Sequence, residues 1–215
     1  MNNLLRTQLS AIVLAGGLSS RMGQDKALIE VDQVPLLRKI CQIALQCADS
    51  VYVVTPWVER YRAMVDRQVQ FIQEVPLSNQ PNQPNGSLVG FVQGLAIVQT
   101  EWVLLLACDL PGLREDVLQD WAAKLSNEGG ARCEADTAGV ALLPKNPEGY
   151  WEPLCGFYRQ DCLPSLKAYV ANGERSFQGW IAQQSVQAVQ ELELSDRQML
   201  LNCNTPEDLQ TFRAQ

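Results

Sequence analysis

The chain of 215 residues contains no histidine. That absence removes Ser-His-Asp and Cys-His catalysis and any histidine-ligated zinc or iron centre. Acid, base or metal-binding chemistry must then rest on carboxylates, amides, hydroxyls, cations or backbone groups, and oxygen donors favour a hard cation. Paired cysteine chemistry is lacking as well: the seven cysteines, an odd number, are scattered without a C-x-x-C pair. There is no secretory leader pattern at the amino terminus and no apolar run of transmembrane length. Reduced thiols in a cytoplasmic protein are therefore expected, most of them small core hydrophobes. The net charge of −7 lacks the basic footprint of a nucleic-acid binder, so neither nucleic acid nor membrane is an expected partner. Two familiar phosphate loops are missing too. A Walker A loop fails because Gly23 is followed by Gln24, and the G-x-G-x-x-G fingerprint fails because Gly16 and Gly17 are adjacent.

What is present describes an ordinary globular chain, 47% hydrophobic and 19% charged, long enough for a single domain with one core. Apolar runs at Ala11–Val13, Val51–Val54, Val69–Ile72 and Trp102–Ala107 predict strands, and the last, without alternation, suits a parallel strand buried on both faces. Between them, Trp57–Val65 and Ser87 to about Gln99 predict helices, the second preceded by a Pro/Asn/Gln-rich loop over Ser78–Gly86. Strands alternating with helices imply right-handed βαβ units and an α/β fold: a doubly wound three-layer αβα architecture on a Rossmann-like, mostly parallel sheet. The polar segment Asn127–Asp136 is expected to join a nucleotide-binding half, about 1–126, to an acceptor-binding half, about 137–215, within one domain.

The chemistry concentrates in Leu14-Ala15-Gly16-Gly17-Leu18-Ser19-Ser20-Arg21-Met22-Gly23-Gln24-Asp25-Lys26-Ala27, directly after the first strand. Glycines let backbone N–H groups approach an anion, and Arg21 and Lys26 can neutralise a polyphosphate. Residues 1–40 hold five basic residues against three acidic ones, so this end is locally basic in an acidic protein. In open α/β sheets ligands bind beyond the carboxyl ends of the strands, which is where Asp109 stands, just after Trp102–Ala107.

This run resembles L-A-G-G-x-S-x-R-M-G-x-D-K, the signature of the molybdenum cofactor guanylyltransferases within the larger nucleotidyltransferase group. The resemblance extends along most of the chain. Cys108-Asp109-Leu110-Pro111 is similar to the family's C-D-x-P, whose aspartate binds the magnesium bridging the nucleotide phosphates. A second reading has Asp109 capping a helix that starts near Gly112. Asn85-Gly86-Ser87-Leu88-Val89-Gly90 resembles G-P-L-A-G, with Ser87 where proline is usual, and its helix start, with Gly90, is expected near the base. Glu152-Pro153-Leu154 with Tyr158 resembles a family strand lining the acceptor side. Asn202–Leu209 is similar to N-x-N-T-P-E-D-L, where Asn204 joins the metal or phosphate site and Thr205 caps the last helix. Where the family often has a nucleoside-contacting aspartate after its third strand, Gln73-Glu74 stands here, and the family asparagine ending the second strand is Thr55.

The resemblance implies transfer of GMP from GTP to the terminal phosphate of molybdenum-molybdopterin, with release of pyrophosphate. Arg21, Lys26 and Asp109 are the implied catalytic residues. Leu14, Ala15, Gly16, Gly17, Lys26, Glu74, Gly90 and Asp109 are the implied nucleotide contacts, and Asp109 and Asn204 the implied ligands of Mg2+. It also implies a monomer in transient contact with other proteins of cofactor biosynthesis or with a receiving molybdoenzyme. Two alternatives stay open: a CTP-dependent cytidylyltransferase or one with another phosphate acceptor, and a non-enzymatic cofactor carrier. Release of pyrophosphate separates enzyme from carrier.

Overall fold

Residues 11–13 and 102–107 are apolar without alternation because helices cover both faces of the strands they form. The computed structural model describes residues 8–16, 25–77, 85–128, 139–185, 187–194, 196–203 and 208. Strand β1 (Leu9–Leu14) sends Ala11 and Val13 to one face and Ile12 to the other, and β6 (Trp102–Ala107) sends Leu104 and Leu106 against Val103 and Leu105. Each set enters a different buried cluster, as the period of two in a strand requires.

The first face is covered by α1 (Leu36–Cys47) and α4 (Glu115–Glu128), which pack side by side. The short helix α2 (Val58–Tyr61), continued by a 3-10 turn at Arg62–Met64, adds Tyr61 to the same layer. The opposite face carries α3 (Gly86–Leu95), α5 (Leu163–Ala171) and α6 (Phe177–Ile181), around fully buried Phe91, Tyr158 and Trp180.

Between the layers lies one sheet of seven strands. It includes β4 (Ser50–Thr55), β5 (Gln70–Gln73), β7 (Ala141–Pro144), β8 (Cys155–Arg159) and β9 (Val189–Leu192), in the order β5-β4-β1-β6-β8-β7-β9. Neighbours pair in parallel except at β8, which runs against both β6 and β7. Six strands therefore end at the same edge. A two-stranded hairpin, β2 (Glu30–Val31) and β3 (Val34–Pro35), stands apart from it, turning through Asp32 and Gln33 at φ 54 and 64.

Two expected boundaries move. Helix α3 stops at Leu95 rather than near Gln99, because the Gln160 side chain donates to the carbonyls of Leu95 (2.9 Å) and Val98 (2.8 Å) and draws the chain into a turn. The helix expected near Gly112 begins at Glu115 instead. Leu110 and Leu113 are buried in the core, and the Leu113 N–H bonds the Leu110 carbonyl in a turn that delays it. The helix expected over Trp57–Val65 divides into α2 and its 3-10 extension.

Candidate active site

Four parallel strands bring their final residues into register at one edge. The Ala15 N–H donates to the Val54 carbonyl (3.0 Å), the Glu74 N–H to the Thr55 carbonyl (2.9 Å), and the Cys108 N–H to the Leu14 carbonyl (3.2 Å). Residues 14–16, 74 and 108–109 are thereby set in a row without any local sequence connection.

Lys26 is held there by its neighbour. Asp25 starts a 3-10 turn over Lys26–Leu28, its Oδ1 accepting from the Ala27 N–H at 3.1 Å. The other oxygen, Oδ2, accepts from the Tyr61 hydroxyl at 2.6 Å and pairs with Arg60 at 3.1 Å. Burial and this bond to Asp25 push the Tyr61 hydroxyl well above the ordinary tyrosine range, so it stays a donor. Lys26 can then reach Asp109, with Nζ 3.0 Å from Oδ2 and both side chains 19% exposed. The loop carrying Asp109 is tied on both sides. Lys39 Nζ donates to the Pro111 carbonyl (2.9 Å), and the Asp109 carbonyl accepts from the Cys203 N–H (3.0 Å). Cys203 itself packs with Ile29, Val31 and Leu36.

The position of α4 disposes of the capping role for Asp109, since that helix starts six residues later at Glu115. Asp109 spends one oxygen on Lys26, and among the described residues its Oδ1 takes no hydrogen bond. No group of three or more Asp, Glu or Cys side chains forms a ready-made metal cage among the described residues. Magnesium, however, is ordinarily held by one or two carboxylates together with substrate phosphates and waters. A single carboxylate at this strand edge fits a metal that would arrive with a nucleotide.

Glu74 lies across this edge. Asn85 Nδ2 donates to its Oε1 at 2.9 Å, and its Oε2 projects between Gly16 and Gly90. A Cβ placed on Gly16 would lie 2.5 Å from that oxygen, and one on Gly90 at 3.5 Å, so the two glycines wall the slot into which it points. Partial burial raises the Glu74 carboxyl above its usual range, countered in part by the Asn85 bond. Leu14 and Ala15 have their backbone groups tied into the sheet, and Gly16 is the first loop residue with no such tie among the described residues.

Of the sequence-derived site residues, Leu14, Ala15, Gly16, Lys26, Glu74, Gly90 and Asp109 gather at this edge. Gly17, Arg21 and Asn204 lie outside the described residues, as does Thr205, although Asn204 follows the Cys203 that is bonded to Asp109. Tyr158 does not line the site. It is fully buried on β8 against Phe91 and donates its hydroxyl to the Pro153 carbonyl at 2.8 Å, and the strand begins only at Cys155. Farther along the edge, past β7, Lys145 stacks 4.4 Å over Trp151 and pairs with Glu191 at 2.7 Å.

Three contributors were not assigned from the sequence. Buried Thr55 donates to the Ala15 carbonyl (2.7 Å) and accepts from the Trp57 N–H (3.1 Å), pinning the loop to β4. The hydroxyl-to-backbone bond two residues ahead, at a Thr-Pro step, is the one local sign of it. Asp25 sat inside the motif, but its partners Tyr61 and Arg60 come from another element. Asn85 is visible only once Glu74 is placed. None of the six described cysteines is in a disulfide, and burial raises Cys47 to about 11 and Cys41 and Cys162 to about 12, as expected of inert core thiols.

Residues 11–189 match the family described as the MobA-like NTP transferase domain. A relative from Nostoc sp., named "Probable molybdenum cofactor guanylyltransferase", is 51% identical over the whole of this chain and 93% of its own length. A relative of the same name from Synechococcus elongatus is 40% identical, covering 95% of this chain and 97% of its own. The crystal structure of molybdopterin-guanine dinucleotide biosynthesis protein A from Archaeoglobus fulgidus superposes with a TM-score of 0.71 at 20% identity, over 94% of this chain and 95% of its own.

Proposed function

The chain belongs to the MobA-like NTP transferase domain family, and from that membership we propose that it transfers GMP from GTP to the terminal phosphate of molybdenum-molybdopterin. It is a nucleotidyltransferase, and its relatives across the full length carry the guanylyltransferase name. The observation that carries the reading is the Lys26–Asp109 pair at 3.0 Å, a cation and a carboxylate standing together where the strand of the glycine loop ends.

In this reading an oxygen of the acceptor phosphate bonds to the α-phosphorus of GTP. The bond from that phosphorus to the bridging oxygen breaks, and pyrophosphate leaves with the electron pair. The nucleophile is already anionic, so a chain without histidine lacks nothing that the step requires. Its work is positioning and neutralisation of charge on the phosphate oxygens. Lys26 and Arg21 hold the departing phosphates. Asp109 keeps Lys26 aimed, and Asp25, fastened by Tyr61 and Arg60, fixes the turn from which Lys26 projects. Leu14, Ala15, Gly16 and Gly17 line the nucleotide, and Gly90 leaves room beside it. Glu74 meets the base: a carboxylate only accepts hydrogen bonds, and guanine offers two adjacent N–H donors where adenine and cytosine set a ring acceptor beside their amino group. Asp109, with Asn204, would hold Mg2+, which supplies charge neutralisation and orientation of the phosphates. The acceptor lies toward β7, β8 and β9, in the half expected from about residue 137 onward. The enzyme acts in the cytoplasm as a monomer, in keeping with described cysteines that form no disulfide.

The test is a thermal shift with each of the four nucleoside triphosphates and magnesium, followed by pyrophosphate release with acceptor. A ligand bound only by the native state adds about 2.7 kcal/mol at a hundredfold excess over its Kd. GTP alone should give a clear shift. An equal or larger shift with CTP would overturn the base assignment, and nucleotide binding without pyrophosphate release would leave a carrier.

A further inference from the structure

Asn85 occupies the N-cap position of α3 yet makes no capping bond to that helix. Asparagine at such a position ordinarily accepts from the N–H two or three residues on. Here every hydrogen bond of the side chain points backward, to the segment that follows β5. Its Oδ1 accepts from the Leu77 N–H (3.3 Å), and its Nδ2 donates to the Val75 carbonyl (2.8 Å) and to Glu74 Oε1 (2.9 Å). The backbone makes this possible. Gly86, the next residue, has φ +74, a left-handed turn that lets the chain enter the helix while the preceding side chain faces away from it. The favoured local use of an asparagine has been given up, and what is gained is the orientation of one carboxylate.

We infer that Asn85 is a positioning residue for base recognition: by clamping Oε1 of Glu74 it keeps Oε2 turned into the slot between Gly16 and Gly90. This rests on the reading of Glu74 as the group that meets guanine. A glutamate has three side-chain torsions, and without an anchor its carboxylate would sample several directions, losing the rotamer freedom only on binding. The neighbouring glycines wall the slot but carry no side chain that could hold the carboxylate in one direction. Among the described residues Oε2 accepts no hydrogen bond, so the clamp leaves it available to a ligand donor.

A second side chain anchors the same segment without touching the carboxylate, and it serves as the control. Gln93 on α3 accepts from the Val75 N–H (2.9 Å) and donates to the Val75 carbonyl (2.8 Å). If Asn85 merely secured the segment, Gln93 would be its equal.

The experiment titrates GTP and inosine triphosphate, which lacks guanine's exocyclic amino group, into the wild-type chain, Asn85→Ala, Asn85→Asp and Gln93→Ala, each checked by thermal melting. Loss of one clamp should weaken GTP binding about tenfold, near the worth of one hydrogen bond to a charged group. Inosine triphosphate should weaken by less, so the preference between the two shrinks. Asn85→Asp is nearly isosteric but puts a second carboxylate against Glu74, and should lose at least as much. Gln93→Ala should leave the preference unchanged. In a Glu74→Ala background, Asn85→Ala should add no further loss, because it acts only through that residue. The proposal is overturned if Asn85→Ala weakens both nucleotides equally, if Gln93→Ala reproduces its effect, or if the double variant loses more than Glu74→Ala. A wild-type chain that binds GTP no better than CTP would instead break the guanylyl reading itself, before any variant is compared.

Discussion

Lys26 and Asp109 are 83 positions apart in sequence, yet Nζ and Oδ2 stand 3.0 Å from each other at the edge of the sheet. Each side chain keeps 19% of its surface exposed, so the pair is shielded enough to hold its geometry and open enough to exchange partners with a ligand. Such residues behave as a unit. We expect Lys26→Ala to lower turnover on the order of 10²-fold, the scale of a lost preorganised charge contact, with melting little changed. Asp109→Asn should lower turnover similarly and raise the magnesium requirement, since a neutral oxygen is a poorer ligand for a hard cation. The double variant should fall little further than the worse single one. Initial rates against magnesium at saturating GTP test all three. An unchanged magnesium dependence in Asp109→Asn would move the metal elsewhere.

Tyr61 reaches the site through Asp25, whose carboxylate it meets at 2.6 Å from a fully buried position. Tyr61→Phe deletes one hydrogen bond to a charged group and should cost about 1.5 to 3 kcal/mol in a denaturant titration. The Arg60 pair at 3.1 Å remains to hold Asp25, so kcat should change less than the KM for GTP.

Glu74 gives a prediction whose sign depends on pH. Burial holds its folded pKa above the unfolded value, so the native state binds this proton more tightly than the denatured chain does. The ionised carboxyl therefore costs stability at neutral pH, and the cost disappears as pH falls below the unfolded value of about 4.3. Glu74→Gln should melt higher than wild type at pH 7 and converge with it below that range. GTP binding should weaken in the same variant, because an amide donor replaces a carboxylate acceptor. Melting curves across pH, paired with titration of GTP, separate the two effects.

Gly16→Ala sets a methyl where Glu74 Oε2 now lies 2.5 Å away. The carboxylate is the movable partner, so the fold should survive while the Asn85 clamp breaks. We expect near-normal melting with GTP binding at least tenfold weaker, matching the loss of a hydrogen bond to a charged group. A variant that fails to fold would show that Pro56, whose Cδ would lie 3.3 Å from the same methyl, confines the loop instead.

The parts of this protein legible in its sequence are those governed by neighbours in the chain. Ala11–Val13 and Trp102–Ala107 declare two-sided burial, and the motif that opens at Leu14 declares the strand edge at which Leu14, Ala15, Gly16 and Lys26 stand. Asp109 follows from the rule that ligands gather beyond strand ends. What escaped depends on partners far along the chain. The early end of α3 is set by Gln160 on the antiparallel side of the sheet, and nothing in residues 87–99 announces it. Thr55 carries no sign of its bond to Ala15 beyond a turn-forming pattern. Tyr158 matches a family motif by position, but it serves as an aromatic of the core, a role that motif spacing does not reveal.

The bond from the Cys203 N–H to the Asp109 carbonyl has a consequence for how the protein comes into being. A chain growing from the ribosome possesses its glycine loop, Lys26 and Asp109 long before Cys203 is synthesised. Strands β1, β4, β5 and β6 can pair early, yet the loop bearing Asp109 gains this restraint only when a distant segment closes over Ile29, Val31 and Leu36. Contacts of such sequence separation form late, because the entropy of loop closure is met before they reward it. The loop that carries Asp109 thus gains one of its restraints only as the fold is completed.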